Sequence, residues 1–464
     1  MKTERNSFTG SLGFVIAAAA SAVGLGNIWR FPYLAARDGG GLFLLIYLVL
    51  ALTFGFTLLT TEVAIGRKTK ESPLTAYGSL RPKAKPLGIL ACIIPMMILP
   101  YYCAIGGWVV KYFLAFLTGS GVQTAEEGYF TGFITDTSTP IGMMIVFLFL
   151  TMVVVLGGVD KGIEKFSKFI MPLLIVLIVV IAVFSLTLTH TDESGTVRTG
   201  MQGLKLLLIP DFASITFRSF LSTMMDAMGQ LFYSLSVAMG IMIAYGSYMK
   251  DETNLSGAIG QIEVFDTGIA FLAGVMIIPA VYVFMGREGM QASGPGLMFV
   301  SLPKVFAQMG RFGNLIGCLF FAMVLFAATT SSVSILEAIV SSLIDQFHME
   351  RKKAVLTEGM IALALGILVC LGYNVLYFEY RLPNGATAQI LDIMDYVSNN
   401  LLMPVISIGT CILIGWILGP KFITDEITKN GEKFRRKGLF IVMLRYVAPL
   451  MLFALLLKAV GIFG

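Results

Sequence analysis

Apolar residues in this chain gather into long runs, not into the period-2 alternation of half-buried strands. Runs of about 20 residues match the roughly 30 Å hydrocarbon core of a bilayer at 1.5 Å per helical residue. Eleven such runs predict eleven membrane-spanning helices, at 11–36, 41–66, 87–118, 141–158, 164–188, 217–248, 257–285, 312–345, 354–372, 390–418 and 438–462. Two of them are interrupted. The first contains SAVGLGNIWRFP (21–32), and the sixth contains MGQLFYSLSVAMGIMIAYGSY (228–248), with Gln230, Ser234, Ser236 and Gly240 inside an apolar helix.

Glycine in a membrane helix ordinarily lets a neighbouring backbone approach, and packing motifs place small residues four apart on one face. Gly24 and Gly26 are two apart and point to nearly opposite sides, so unwinding explains them better. Freed backbone groups in lipid are tolerated only where they line a cavity and find partners, and an ion or a charged solute would serve. The serines of the sixth run have a milder reading, since serine can bond back to its own helix. Interruptions in the first and sixth of ten spans match inverted-repeat membrane proteins, whose midplane sites are built from discontinuous helices.

Composition agrees: 56% of residues are hydrophobic, 13% are charged and the mean hydropathy is +0.84. Lys and Arg set the orientation. Residues 67–86 carry six basic side chains and one acid, 421–437 carry six and three, and 119–140 carry three acids and no Lys or Arg. The basic loops are therefore expected on the cytoplasmic side, with the N-terminus inside and Gly464 outside. The net charge of +5 reflects this loop bias, and no nucleic-acid partner is expected. All five cysteines fall in expected spans, and His190 and His348 fall in loops. No Walker A, HExxH or GxSxG sequence is present, so the chain is not expected to be an enzyme.

AVGLGNIWRFP with GGG eight residues after Phe31, GQLFYSLS in the sixth run and ATTSSVSILE in the eighth resemble the neurotransmitter:sodium symporter family. The likeness runs from Arg5 to about Leu457, and its motifs fall in order on the matching spans. It implies an all-α polytopic membrane protein of eleven transmembrane helices with a LeuT-like 5+5 inverted repeat and broken helices 1 and 6. A single transporter domain would cover 1–464, with repeats at 11–188 and 217–418 and helix 11 at 438–462. The implied activity is sodium-coupled symport of an amino acid across the plasma (inner) membrane, with amino acid, sodium and membrane lipid as partners.

The resemblance places one sodium ion at Ala22, Asn27, Ser234 and Asp266, and a second at Ala20, Val23, Ala327, Thr330 and Ser331. Carbonyl, amide, hydroxyl and carboxylate oxygens suit a hard cation. The same carry-over places substrate at Ala22, Leu25, Gly26, Ile98, Tyr102, Tyr233, Ser234, Ser236, Met239, Ser331 and Ile335. Amides near Leu25 and Gly26, at a half-helix N-terminus, favour a carboxylate, with Tyr102 as its hydroxyl partner. Monoamine-carrying relatives have aspartate where this chain has Gly24, which leaves room here for an amino acid's own carboxylate. The pocket lining is apolar and, through Met239, adaptable, so a bulky aliphatic or aromatic amino acid fits best.

Arg30 with Asp395 forms the implied outer gate, and Arg5 with Asp345, near Tyr248, the inner one. Glu62 reads as a hydrogen-bonding partner of the broken first span. Gly162 and Pro172, in GIEKFSKFIMP, form a hinge that can open the fifth span, or else an ordinary proline kink. Chloride-requiring relatives lack an acid near position 266, so no chloride requirement is expected. A sodium-linked sensor or channel on the same scaffold is the alternative, and accumulation against a gradient separates the two.

Overall fold

The computed structural model describes residues 7–192, 195–210, 212, 216–289 and 294–462. Within them the chain is mostly helical, with two short antiparallel hairpins that pair Thr189–Thr191 with Val197–Thr199 and Tyr380–Arg381 with Thr387–Ala388. Among the described residues nine helices are long and apolar enough to cross a bilayer: Gly41–Thr69, Pro82–Leu117, Thr139–Leu156, Val159–Thr187, Leu255–Gly289, Gly310–Phe347, Arg351–Leu371, Ile390–Ile417 and Lys437–Ala459. A tenth is the pair Ser11–Ala22 and Gly26–Arg37, bent by 52° at the break. The run read as 217–248 does not join this set. It forms Phe217–Ser234 and Ile241–Ser247, separated by irregular backbone. The first piece is made polar by Arg218, Asp226 and Gln230, and the second is too short to span.

Burial sorts the helices into centre and periphery. The apolar window of Gly310–Phe347 is 78% buried and that of Pro82–Leu117 is 72% buried, whereas the figures for Thr139–Leu156 and Lys437–Ala459 are 33% and 28%. The last two therefore present most of their side chains to lipid. Ser11–Ala22 and Ile241–Ser247 lie against the central Gly310–Phe347 helix, so both interruptions face the interior.

One close approach deserves its glycines. A Cβ on Gly66 would fall on the carbonyl oxygen of Ile243, and a Cβ on Gly246 would fall on that of Val63. Helices Phe56–Thr69 and Ile241–Ser247 thus meet backbone to backbone. Small residues permit this kind of packing between membrane helices.

Candidate functional site

Helix Ser11–Ala22 stops at two non-helical residues, Val23 and Gly24, and the chain resumes with a wide turn over Gly26–Arg30. The backbone groups released there find side-chain partners from other spans. Ser21 O accepts from Ser236 Oγ and from Ser331 Oγ, each at 3.1 Å. Gly26 O accepts from Gln230 Nε2 at 2.9 Å, and Gly24 N donates to Asn27 Oδ1 at 3.2 Å.

In the second irregular segment Ser236, Ala238 and Gly240 all have positive φ, at 54°, 66° and 74°. The left-handed region is unfavourable for residues with a Cβ, and such strain persists only where surrounding contacts hold it. Glu62 is one of those contacts: its Oε1 accepts from Ala238 N at 2.6 Å. This corrects the sequence-based assignment of Glu62 to the broken first span. The carboxylate reaches the sixth-span interruption because helix Phe56–Thr69 packs on Ile241–Ser247.

Asp266 is fully buried on Leu255–Gly289 and gathers three donors. Asn27 Nδ2 donates to its Oδ1 at 2.8 Å, Ser234 Oγ donates to the same oxygen at 2.5 Å, and Tyr47 Oη donates to Oδ2 at 3.4 Å. Two broken segments and two unbroken helices therefore converge on one carboxylate. Tyr47 was not anticipated from sequence. The signal available was a phenol inside an apolar run, which needs a hydrogen-bond partner when buried.

Beside this cluster lies a small cavity of about 20 Å³. Ala22, Gly26, Ile98, Tyr102, Tyr233, Ser234, Ser236, Met239, Ser331 and Ile335 line it, together with Ser21, Gly24, Asn27 and Ile241. Leu25, expected there through its backbone amide, does not line the cavity; its side chain is buried, and its main chain lies beside the Tyr102 hydroxyl. The buried Tyr102 hydroxyl has no hydrogen-bond partner among the described residues and lies 3.3 Å from where a Cβ on Gly24 would sit. A buried polar atom without a partner is uncommon and asks for a ligand or water.

The residues expected to hold a second cation are brought together less completely. Ser331 Oγ reaches the first span, but at the carbonyl of Ser21. Thr330 Oγ1 is turned onto its own helix, at 2.9 Å from Ala327 O and 3.2 Å from Phe326 O. No hydrogen bond among the described residues joins Thr330 to Ala20 or Val23.

No ion pair joins Arg30 to Asp395 among the described residues. Asp395 Oδ1 instead accepts from Asn399 Nδ2 at 2.6 Å and Tyr101 Oη at 3.1 Å, while Arg30 lines a separate cavity of about 330 Å³ with Tyr233 and Asn399. At the opposite end Arg5 lies outside the described residues. Asp345 accepts from Ser72 N at 2.6 Å, and Tyr248 Oη donates to Glu337 Oε1 at 2.6 Å. Arg351 forks onto both oxygens of that buried Glu337, at 2.7 and 2.8 Å. Tyr248 was expected near the inner gate, but its pairing with Glu337 and Arg351 had no sequence signal, because the three come from separate parts of the fold. Gly162 sits in a wide helical turn, Val159–Glu164, directly before the helix that contains Pro172. Glu164 accepts from Thr9 N at 2.8 Å and from Lys168 Nζ at 2.6 Å, so the candidate hinge is tied to the N-terminal segment.

A family model described as "Sodium:neurotransmitter symporter family" matches residues 5–131 and 122–463. The chain is 34% identical to the uncharacterized sodium-dependent transporter YhdH of Bacillus subtilis, over 97% of each chain. It is 25% identical to the human sodium- and chloride-dependent GABA transporter 2, over 91% of this chain and 75% of that one. The crystal structure of MhsT in complex with L-phenylalanine superposes with a TM-score of 0.85 at 33% identity, covering 98% of this chain and 100% of that chain. With apolar helices that cross the membrane many times and matches that are transporters over nearly their whole length, the chain is a multi-pass membrane transporter, not an enzyme, and belongs to the sodium:neurotransmitter symporter family.

Proposed function

We propose that the protein carries hydrophobic amino acids into the cell together with sodium, by alternating access. The observation that carries this reading is the oxygen cluster of Asn27, Ser234 and Asp266 directly against the opened backbone at Gly24. Amide, hydroxyl and carboxylate oxygens are the ligands a hard cation prefers. In the proposal that cluster, with the Ala22 carbonyl, takes one sodium ion. Ala20, Val23, Ala327, Thr330 and Ser331 take the second once Thr330 turns from its own helix. The unpartnered Tyr102 hydroxyl and the amides of Leu25 and Gly26 receive the substrate carboxylate. Ile98, Tyr233, Ser236, Met239 and Ile335 surround its side chain, and the L-phenylalanine in MhsT supports that substrate class.

The proposal retains eleven spans in a 5+5 inverted repeat, with the first and sixth broken, and treats the chain as a single transporter domain. It places the protein in the plasma membrane with the N-terminus inside. Arg30 and Asp395 close the outer side and Arg5, Asp345 and Tyr248 the inner side. Gly162 and Pro172 allow the fifth span to open. The fixed carboxylate of Asp266 makes chloride unnecessary.

Purified protein in liposomes tests the function. An inward sodium gradient drives accumulation of labelled hydrophobic amino acids, and an inside-negative potential increases it. Each net charge moved through 100 mV contributes about 2.3 kcal/mol, so two sodium ions with a zwitterion gain roughly twice that. Equal accumulation in potassium rules out sodium symport, and absence of accumulation against a gradient leaves a sensor or channel.

Selectivity supplies a second test through Met239, an unbranched thioether able to repack around different side chains. Overpacking by a single larger side chain typically costs about 1–3 kcal/mol, so Met239→Phe weakens tryptophan uptake roughly tenfold or more relative to valine. Unchanged relative affinities across an amino-acid panel remove Met239 from the pocket.

A further inference from the structure

A second, larger cavity of about 800 Å³ lies at the end of the bundle where Gly26–Arg37 and Leu255–Gly289 terminate, beneath the connecting helix Gly200–Leu208. Among the described residues its charged lining is Arg37, Lys205 and Arg287, with no acid. Arg37 is already paired, with Asp38 and Asp226. Lys205 and Arg287 make no ion pair or side-chain hydrogen bond among the described residues. Gly286, at φ 65°, turns the chain immediately before Arg287.

The shape of the cavity selects among anions. Its lining on Leu255–Gly289 runs from Ile278, inside the apolar part of the helix, to Arg287 near its end. Seven residues of helix from Ile278 to Met285 rise roughly 10 Å before Gly286 turns the chain toward Arg287. Leu206, Ile209 and Pro210 add further apolar wall. The cavity therefore has an apolar depth and a cationic mouth at the end of an apolar helix, the kind of position that meets headgroups when such a helix crosses a bilayer. The connecting segment beside it exposes large apolar side chains: Ile209 is 61% exposed, Phe212 64% and Phe217 78%. In water these would form an unfavourable patch, whereas at a membrane interface apolar side chains interleaved with Lys and Arg are stabilised by acyl chains and anionic headgroups.

We infer that this cavity binds an anionic phospholipid, with the headgroup phosphate between Lys205 and Arg287 and the upper acyl chain along Ile278 and Ile209. The connecting helix Gly200–Leu208 is thereby seated by a specific lipid. The inference rests on the cavity and not on the transport reading.

The full-length protein, purified in mild detergent, is titrated with phosphatidylglycerol or phosphatidylcholine and examined by native mass spectrometry. In parallel, its thermal stability is followed in nanodiscs of phosphatidylcholine with and without phosphatidylglycerol. Wild type retains one phosphatidylglycerol in preference to phosphatidylcholine and melts higher when it is present. Each basic residue near an anionic headgroup contributes about fivefold in affinity, so Lys205→Gln/Arg287→Gln loses on the order of twentyfold or more of that preference. The charge-conserving Lys205→Arg/Arg287→Lys keeps most of it. Both pairs are surface substitutions outside the transport site, and a monodisperse size-exclusion profile with wild-type melting in phosphatidylcholine nanodiscs checks that each variant is folded. Equal lipid retention by wild type and the glutamine variant overturns the inference. So does an equal stabilisation by inorganic phosphate alone, which would make the cavity a free-anion site.

Discussion

Asp266→Ser is expected to abolish sodium-driven uptake in gluconate medium and to recover part of it in chloride, while the wild type is indifferent to the exchange. Asp266 is the carboxylate on which Asn27, Ser234 and Tyr47 converge, and it is wholly buried. A unit charge about 4 Å from a cation contributes roughly 4 kcal/mol at an effective permittivity of 20, which is on the order of a thousandfold in sodium affinity. Loss of that charge, not of shape, is the dominant effect. Asparagine can offer its oxygen to Asn27 and Ser234 and its amide to Tyr47, so Asp266→Asn keeps the packing and still loses uptake. Serine also vacates volume that a bound anion can enter. Uptake by each variant in chloride and in gluconate, at constant sodium, is the measurement. Full chloride-independent activity of both variants would falsify this role for Asp266.

Gly66→Ala and Gly246→Ala are each expected to destabilise the folded protein by about 3 kcal/mol or more, at the upper end of overpacking effects. In both cases the added Cβ meets a main-chain carbonyl, Ile243 or Val63, and not a side chain able to rotate away. Helix Ile241–Ser247 must then withdraw from Phe56–Thr69, which also disturbs the Glu62 contact that holds Ala238. Because both glycines keep open the same gap, the double variant melts only slightly below the worse single one. A thermal melt monitored by size-exclusion fluorescence provides the comparison. Wild-type melting of both single variants would mean the two backbones do not touch. Gly10 and Gly132, beside which a Cβ meets nothing within 4 Å, serve as controls and are expected to tolerate alanine.

How much of this was legible beforehand differs from feature to feature, and the physics explains why. Membrane spans are dictated by the local chain, because every backbone polar group in lipid must be satisfied within the same helix and the side chains around it must be apolar. The described helices therefore lie close to the apolar runs, and the break between Ala22 and Gly26 falls on the paired glycines. The 217–248 run shows the limit of that logic. Its sequence marks an interruption but not the geometry there: the middle adopts positive φ at Ser236 and Ala238, residues with no intrinsic preference for it.

Partner choice was not legible. Nothing local to Glu62 says that it meets Ala238 and not the first span, nor does anything local to Tyr47 say that it reaches Asp266. Those pairings depend on which helix faces lie together. Thr330 makes the same point in reverse: its hydroxyl has carbonyls of its own helix within reach and takes them, while Ser331, one residue on and rotated by about 100°, reaches the first span. By itself the sequence determined where most of the long apolar helices lie and which oxygen-bearing side chains are available near the interrupted runs. Only the tertiary structure decided which of these groups meet, because a freed backbone carbonyl or a buried carboxylate is satisfied by whichever donor the packing of distant helices brings within about 3 Å.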